Sequence, residues 1–217
     1  MRNEKVKRIA MLAVLAAFAY ISVALIRIPI VSFLKYEPKD VFILLGGFIF
    51  GPLASMALSV GVSLLEMITV SDTGIIGFIM NVISTCSFAV VAALIYKYKK
   101  NIKGTALGLI CGVILMSVMM LGWNYFITPI YMKVDRETIA AMLLPVFLPF
   151  NLFKGLMNSA ITLLLYKPLV TALRKTNLLP AKEEEKKYNV RNGIIVTAIS
   201  VSVVIICILF VIFFFGK

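Results

Sequence analysis

Apolar residues along this chain do not alternate with polar ones. They run in unbroken blocks at 8–27, 40–50, 53–70, 74–96, 104–131, 143–173 and 193–215, separated by short polar or charged stretches. Such blocks predict helices rather than half-buried strands. Most reach the roughly 17–25 residues needed to cross a ~30 Å hydrocarbon layer. In lipid the backbone must satisfy its own hydrogen bonds, so only helices and closed barrels span. The lack of a two-residue period selects helices.

Two blocks are unusual. The second, in DVFILLGGFIFGP, offers about a dozen residues before Gly51 and Pro52 interrupt it. At a rise of ~1.5 Å per residue it is too short to cross alone, which predicts a half-length or tilted helix. The sixth is long, and Pro145 and Pro149 predict an irregular turn near its start.

Composition agrees with an almost wholly embedded protein. Of 217 residues, 61% are hydrophobic, against about 45–50% in soluble domains, and the mean hydropathy is +1.02. The net charge of +12 would suggest nucleic acid in a soluble domain. In a membrane chain it reports orientation instead, and no nucleic-acid partner is expected. The basic residues gather at Arg2–Arg8, at Lys97–Lys103 and between Lys167 and Arg191. Starting inside and crossing at every block, all three clusters fall on the cytoplasmic side. This places the N-terminus in the cytoplasm and makes the first block a retained helix rather than a signal peptide. The expected organisation is a six-helix membrane domain over 1–175, a charged cytoplasmic linker over 176–192 and an additional transmembrane helix over 193–217. That last helix carries no charge within its apolar run and reads as a lipid-facing anchor whose deletion spares ligand binding.

Chemistry is sparse. There is no histidine, and Cys86, Cys111 and Cys207 each sit alone in an apolar run. No disulfide framework or metal spacing is present, and no catalytic residue or metal ligand is expected. No phosphate-binding loop of the form GxxxxGK[ST] occurs, so the chain carries no ATPase of its own.

Polar side chains inside the membrane blocks are concentrated at one level. Asp40, Glu66, Asn81, Asn124, Asn151, Lys154 and Asn158 all fall on the outer side of the midplane in this topology. A lysine at the centre of a helix costs about 2.5–3.5 kcal/mol on insertion scales, so these groups must face one another or a cavity. Asn151, Lys154 and Asn158, spaced i, i+3, i+7, share one helical face. The expectation is an outward-opening polar cleft walled by Trp123, Tyr125, Phe126, Phe147 and Phe150. Such a cleft suits a small ligand with an aromatic body and a polar edge. The plainer alternatives are a Lys154–Glu66 ion pair used only for packing, asparagines that merely join helices, and a proton relay.

Four stretches carry a resemblance. They are YEPKDVFILLGGFIFGP, GFIMNVISTCSFAVVAALIYKYKK, NYFITPIYM and LPFNLFKGLMNSAITLLLYKPL. Over residues 8–175 the chain resembles the substrate-binding S components of energy-coupling factor vitamin transporters, of the riboflavin-binding type. The resemblance implies an all-α membrane protein: a six-helix bundle with a short second helix and an external loop that closes over the ligand. The helix over 193–215 is additional to that pattern, and Phe42 stands where the family pattern has proline. The resemblance implies binding roles for Asn124, Asn151 and Lys154, with Asp40 at the family's acidic position. Asn81, Glu66 and Tyr125 complete the expected substrate-binding set. Ala13 and Ala17 match the small residues that dock on a transmembrane coupling subunit, which works with two cytoplasmic ATPases. The implied function is high-affinity capture of riboflavin from outside as the transported ligand, with no cofactor and no enzymatic activity. The alternatives are an S component for flavin mononucleotide or another vitamin, a structural subunit with no ligand, and a membrane-embedded enzyme.

Overall fold

The computed structural model describes residues 2–31, 34–175 and 190–214. Ten helices and one hairpin follow in order: α1 (Arg2–Leu25), β1 (Ile28–Val31), β2 (Leu34–Tyr36), α2 (Lys39–Phe50), α3 (Pro52–Thr69), α4 (Gly74–Thr85), α5 (Val91–Tyr98), α6 (Ile102–Phe126), α7 (Thr128–Met132), α8 (Arg136–Met142), α9 (Leu148–Lys175) and α10 (Val190–Phe214). Two π-helical turns, Cys86–Val90 and Leu143–Phe147, join α4 to α5 and α8 to α9 without breaking either rod. Six of the resulting helices are long and apolar enough to cross a membrane. The short α2, with 12 residues, is not among them, as its length predicts.

The break between α2 and α3 is written in two residues. Gly51 has φ 97°, in the left-handed region where a β-carbon is costly. Pro52 then starts α3, where its missing N–H is not needed. Beyond it, α2 lies between α1, α3 and α9. The main core joins Leu15 and Ala19 of α1, Ile43, Leu44 and Phe48 of α2, Leu58 and Val62 of α3, Phe88 and Ala92 of the α4–α5 rod, and Met116 of α6.

The helical prediction holds, with three corrections. The connection after α1 is not a bare loop: β1 and β2 pair antiparallel, Ile28 opposite Tyr36 and Val31 opposite Leu34, with an irregularity between Pro29 and Val31. The fifth block stops at Phe126 rather than 131, because Pro129 starts the separate short helix α7. The sixth rod starts earlier than 143, at Arg136, and its irregular turn contains Pro145. Of the expected linker 176–192, residues 176–189 lie outside the described residues.

The extra helix α10 is not wholly given over to lipid. One stripe packs along α9, burying Ser200 and Cys207. Its Val203, Val204, Phe210 and Val211 join a second apolar cluster with Ile30 and Tyr36 of the hairpin and Phe150, Phe153 and Met157 of α9. The remaining face, including Ile199, Ile206 and Phe213, is exposed and apolar.

Candidate functional site

At the hairpin end of the bundle, the start of α2 and the ends of α3, α4, α6 and α9 surround a cleft of about 180 Å³. The side chains that reach it come from every wall. Arg27, Leu34, Lys35 and Glu37 come from the hairpin and its roots. Glu66 comes from α3, Asn81 and Ser84 from α4, Asn124 from α6, and Phe150, Asn151 and Lys154 from α9.

Beneath and beside the cleft lie two ion-pair clusters. The first centres on Glu66, which is 3% exposed. One oxygen accepts from Arg27 Nη2 at 3.3 Å and from Asn81 Nδ2 at 3.1 Å; the other accepts from Lys39 Nζ. Glu37 lies 3.1 Å from Arg27 Nε and 3.6 Å from Lys39 Nζ, close enough for ion pairing though Arg27 Nε makes no aligned hydrogen bond. Arg27 also donates to the Val70 carbonyl at 2.9 Å. Residues flanking both strands of the hairpin are thus tied to the end of α3.

The second cluster centres on Asp40, fully buried in the first turn of α2, where a helix N-terminus favours negative charge. Thr85 Oγ1 donates to one oxygen at 2.7 Å; Asn158 Nδ2 donates to the other at 3.5 Å, and Lys154 Nζ lies 3.4 Å from it. Tyr36 closes the set from the hairpin, donating to Asn158 Oδ1 at 2.8 Å. Burial, and then the nearby Asp40 charge, push the Tyr36 phenol above its usual range, so it acts as a neutral donor.

The asparagines are held by their own helices. Asn124 donates to the Met120 carbonyl and accepts from Thr128. Asn151 donates to the Phe147 carbonyl at 2.7 Å, which leaves its side-chain oxygen without a partner among the described residues. Each helix therefore fixes the rotamer of an amide that borders the cleft.

Of the residues singled out by sequence, Glu66, Asn81, Asn124, Asn151 and Lys154 meet at the cleft. Asp40 and Asn158 lie behind Lys154, in its support rather than on the lining. Tyr125 is not on the lining: it packs beside Phe126 and under the Arg136 guanidinium, 5.5 Å from the ring centroid. The expected aromatic wall is also corrected. Phe126 is 58% exposed and Phe147 fully buried. Trp123 packs on the main core, and only Phe150 lines the cleft. Consecutive helical positions point about 100° apart, so four aromatics within 123–126 and 147 could not share one face. Lys154 pairs with Asp40, not with Glu66. The residues missed were Arg27, Glu37 and Lys39. The signal for them was a buried glutamate at the end of α3 with three charged residues beside Asp40 at the same membrane depth. Ala13 and Ala17, one turn apart, are both exposed on α1, on the side turned from the core positions Leu15 and Ala19.

Residues 7–166 match the family model described as ECF transporter, substrate-specific component. The chain is 29% identical over 179 residues to a protein named riboflavin transporter RibU from Staphylococcus aureus (strain TCH60), covering 78% of this chain and 93% of that protein. It is 26% identical to riboflavin transporter FmnP of Bacillus subtilis (strain 168), over 80% of this chain and 99% of that one. It is 31% identical to a RibU of Streptococcus thermophilus (strain ATCC BAA-250 / LMG 18311), over 78% and 85%. A solved structure described as the S component of a bacterial ECF transporter superposes with a TM-score of 0.66 at 29% identity, over 78% of this chain and 98% of that chain. These relatives are transporter components and not enzymes, and with its membrane-length helices this is a multi-pass protein of the prokaryotic plasma membrane. The chain belongs to the family of ECF transporter substrate-specific components.

Proposed function

We propose that this chain is the riboflavin-binding subunit of an ATP-driven energy-coupling factor importer, that it captures its ligand with high affinity from the extracellular side, and that its N-terminus is cytoplasmic. The observation that carries the reading is the meeting of Asn81, Asn124, Asn151 and Lys154 from three helices at one cleft, in a chain similar to three proteins named riboflavin transporters. Three amides and an ammonium suit the carbonyl and ring-nitrogen edge of a flavin and its ribityl hydroxyls. Phe150 and Met120 supply apolar surface for the flat ring.

The domain plan follows. Residues 1–175 bind ligand, 176–192 link on the cytoplasmic side, and 193–217 add a helix. A transmembrane coupling subunit and two cytoplasmic ATPases supply the drive. Orientation rests on the basic clusters Arg2–Arg8 and Lys97–Lys103, which belong inside. Ligand sites for drug-sized molecules measure about 300–1,000 Å³, against about 180 Å³ here. Entry of a flavin therefore requires the 28–36 hairpin to lift.

The test is a fluorescence titration of the purified full chain against a vitamin panel. Quenching of riboflavin with a Kd below about 1 μM, and no binding of unrelated vitamins, is the expected result. Tight binding of a different vitamin with none of riboflavin overturns the ligand assignment.

A further inference from the structure

The cleft has a charge ledger unlike that of the chain around it. The protein carries a net charge of +12, yet each buried cation at the site has a buried or half-buried carboxylate within ion-pair distance. Arg27 and Lys39 face Glu37 and Glu66, and Lys154 faces Asp40. At the rim the exposed Lys35 is offset by the exposed Asp72. Three cations meet three anions inside, and one meets one at the mouth.

A site for a phosphate monoester is built differently, with surplus arginine or lysine donors converging on the anion. Here Lys154, the cation on α9 that reaches the cleft beside the asparagines, already has its counter-charge behind it. Asp40 is fully buried and cannot leave for water. Thr85 and Asn158 hold it in place. Lys154 can therefore donate a hydrogen bond to a neutral acceptor without leaving net charge in the cleft. A dianion entering the same cleft gives up its hydration, meets no uncompensated cation and lies near three carboxylates.

Resting on the riboflavin reading, we infer that Asp40 is a specificity-determining residue: by neutralising Lys154 from behind, it restricts the site to uncharged flavin and excludes the phosphorylated form. Asp40 acts through Lys154 and does not itself line the cleft. The pair sets which ligand charge is accepted, and the asparagines set shape and hydrogen bonding.

Titrating the full chain in detergent with riboflavin and with flavin mononucleotide tests this through the ratio of the two affinities. Wild type prefers riboflavin by at least about tenfold. Asp40→Asn leaves Lys154 uncompensated and shifts that ratio toward the phosphate form by about tenfold. Asp40→Glu, which keeps the charge, retains the wild-type preference. Lys154→Gln leaves Asp40 unmatched and shifts the ratio the other way, providing an independent reading if Asp40→Asn does not fold. A merely structural role for Asp40 lowers both affinities together and leaves the ratio fixed, which overturns the inference. Equal affinities in wild type overturn it as well, because the phosphate then stays in water. Binding of neither flavin to wild type is a different result: it removes the riboflavin reading, and this inference with it.

Discussion

Lys154 and Glu66 show how a membrane-buried charge is stabilised by its neighbours rather than by its own helix. Lys154 lies 3.4 Å from Asp40 and borders the cleft. Lys154→Ala and Asn151→Ala are each expected to weaken riboflavin binding by about 1–3 kcal/mol, the cost of leaving a buried polar partner unmet. Isothermal titration that finds wild-type affinity in both variants, with the fold intact, removes these two residues from the site. Glu66→Gln is expected to act on the fold first. It leaves Lys39, which is 0% exposed, and Arg27 with only Glu37 between them. Breaking a buried ion pair typically costs about 3–5 kcal/mol, so thermal unfolding in detergent should shift clearly downward. At this scale the sequence was informative about depth and poor about partners. Spacing alone put Asn151 and Lys154 on one face, because a helix fixes the angle between positions. Whether Lys154 meets Glu66 or Asp40 depends on how α2 tilts among α1, α3 and α9, which no local pattern encodes. Tyr125 was misplaced for a related reason: its neighbour Asn124 took the inward face, which turns the next residue away.

At the scale of elements, the apolar blocks made the helices legible, while the joints were not. Gly51-Pro52 announced its own break. The hairpin did not, since Ile28–Val31 is too short for a convincing alternation and is stabilised by what lies under it. Nor did the close approach of α6 to the α4–α5 rod, where a β-carbon at Gly112 would stand 2.6 Å from the Phe88 carbonyl oxygen and one at Gly108 would stand 2.7 Å from that of Ala92. Gly112→Leu is therefore expected to force the two rods apart at the π turn and to destabilise the protein by several kcal/mol. Gly122, on the same helix with open space at its β-carbon, should accept alanine with little change. Equal melting temperatures for both variants would contradict the packing argument. Helix α10 calls for a revised expectation as well. Read as a lipid-facing anchor, it should be dispensable for binding. It instead shares an apolar cluster with Ile30, Tyr36 and α9, beside the hairpin that borders the cleft. A chain truncated after residue 189 should still bind riboflavin but release it several-fold faster, because the hairpin loses apolar support when closed. Stopped-flow release that matches the full chain means that α9 alone supports the hairpin.

The whole molecule separates two tasks by side. α10 packs on α9, and α1 packs on α2 and α3, so the additional helix sits away from the face that α1 presents. On that face Ala13 and Ala17 are exposed one turn apart, and small residues at this spacing let a second helix approach closely. The ligand cleft lies at the hairpin end, lined by residues from α3, α4, α6 and α9, none of which shares a side chain with that face. The two jobs should thus be separable by mutation. Ala13→Leu or Ala17→Leu adds bulk where a coupling subunit is proposed to dock, without touching the core positions Leu15 and Ala19. Each variant is expected to titrate riboflavin like wild type in detergent while losing most riboflavin uptake in cells that carry the coupling module. Uptake at the wild-type rate in both variants means that the coupling subunit grips another surface. Loss of binding along with uptake means that α1 transmits strain to the cleft through α2, and that the two tasks are not separate.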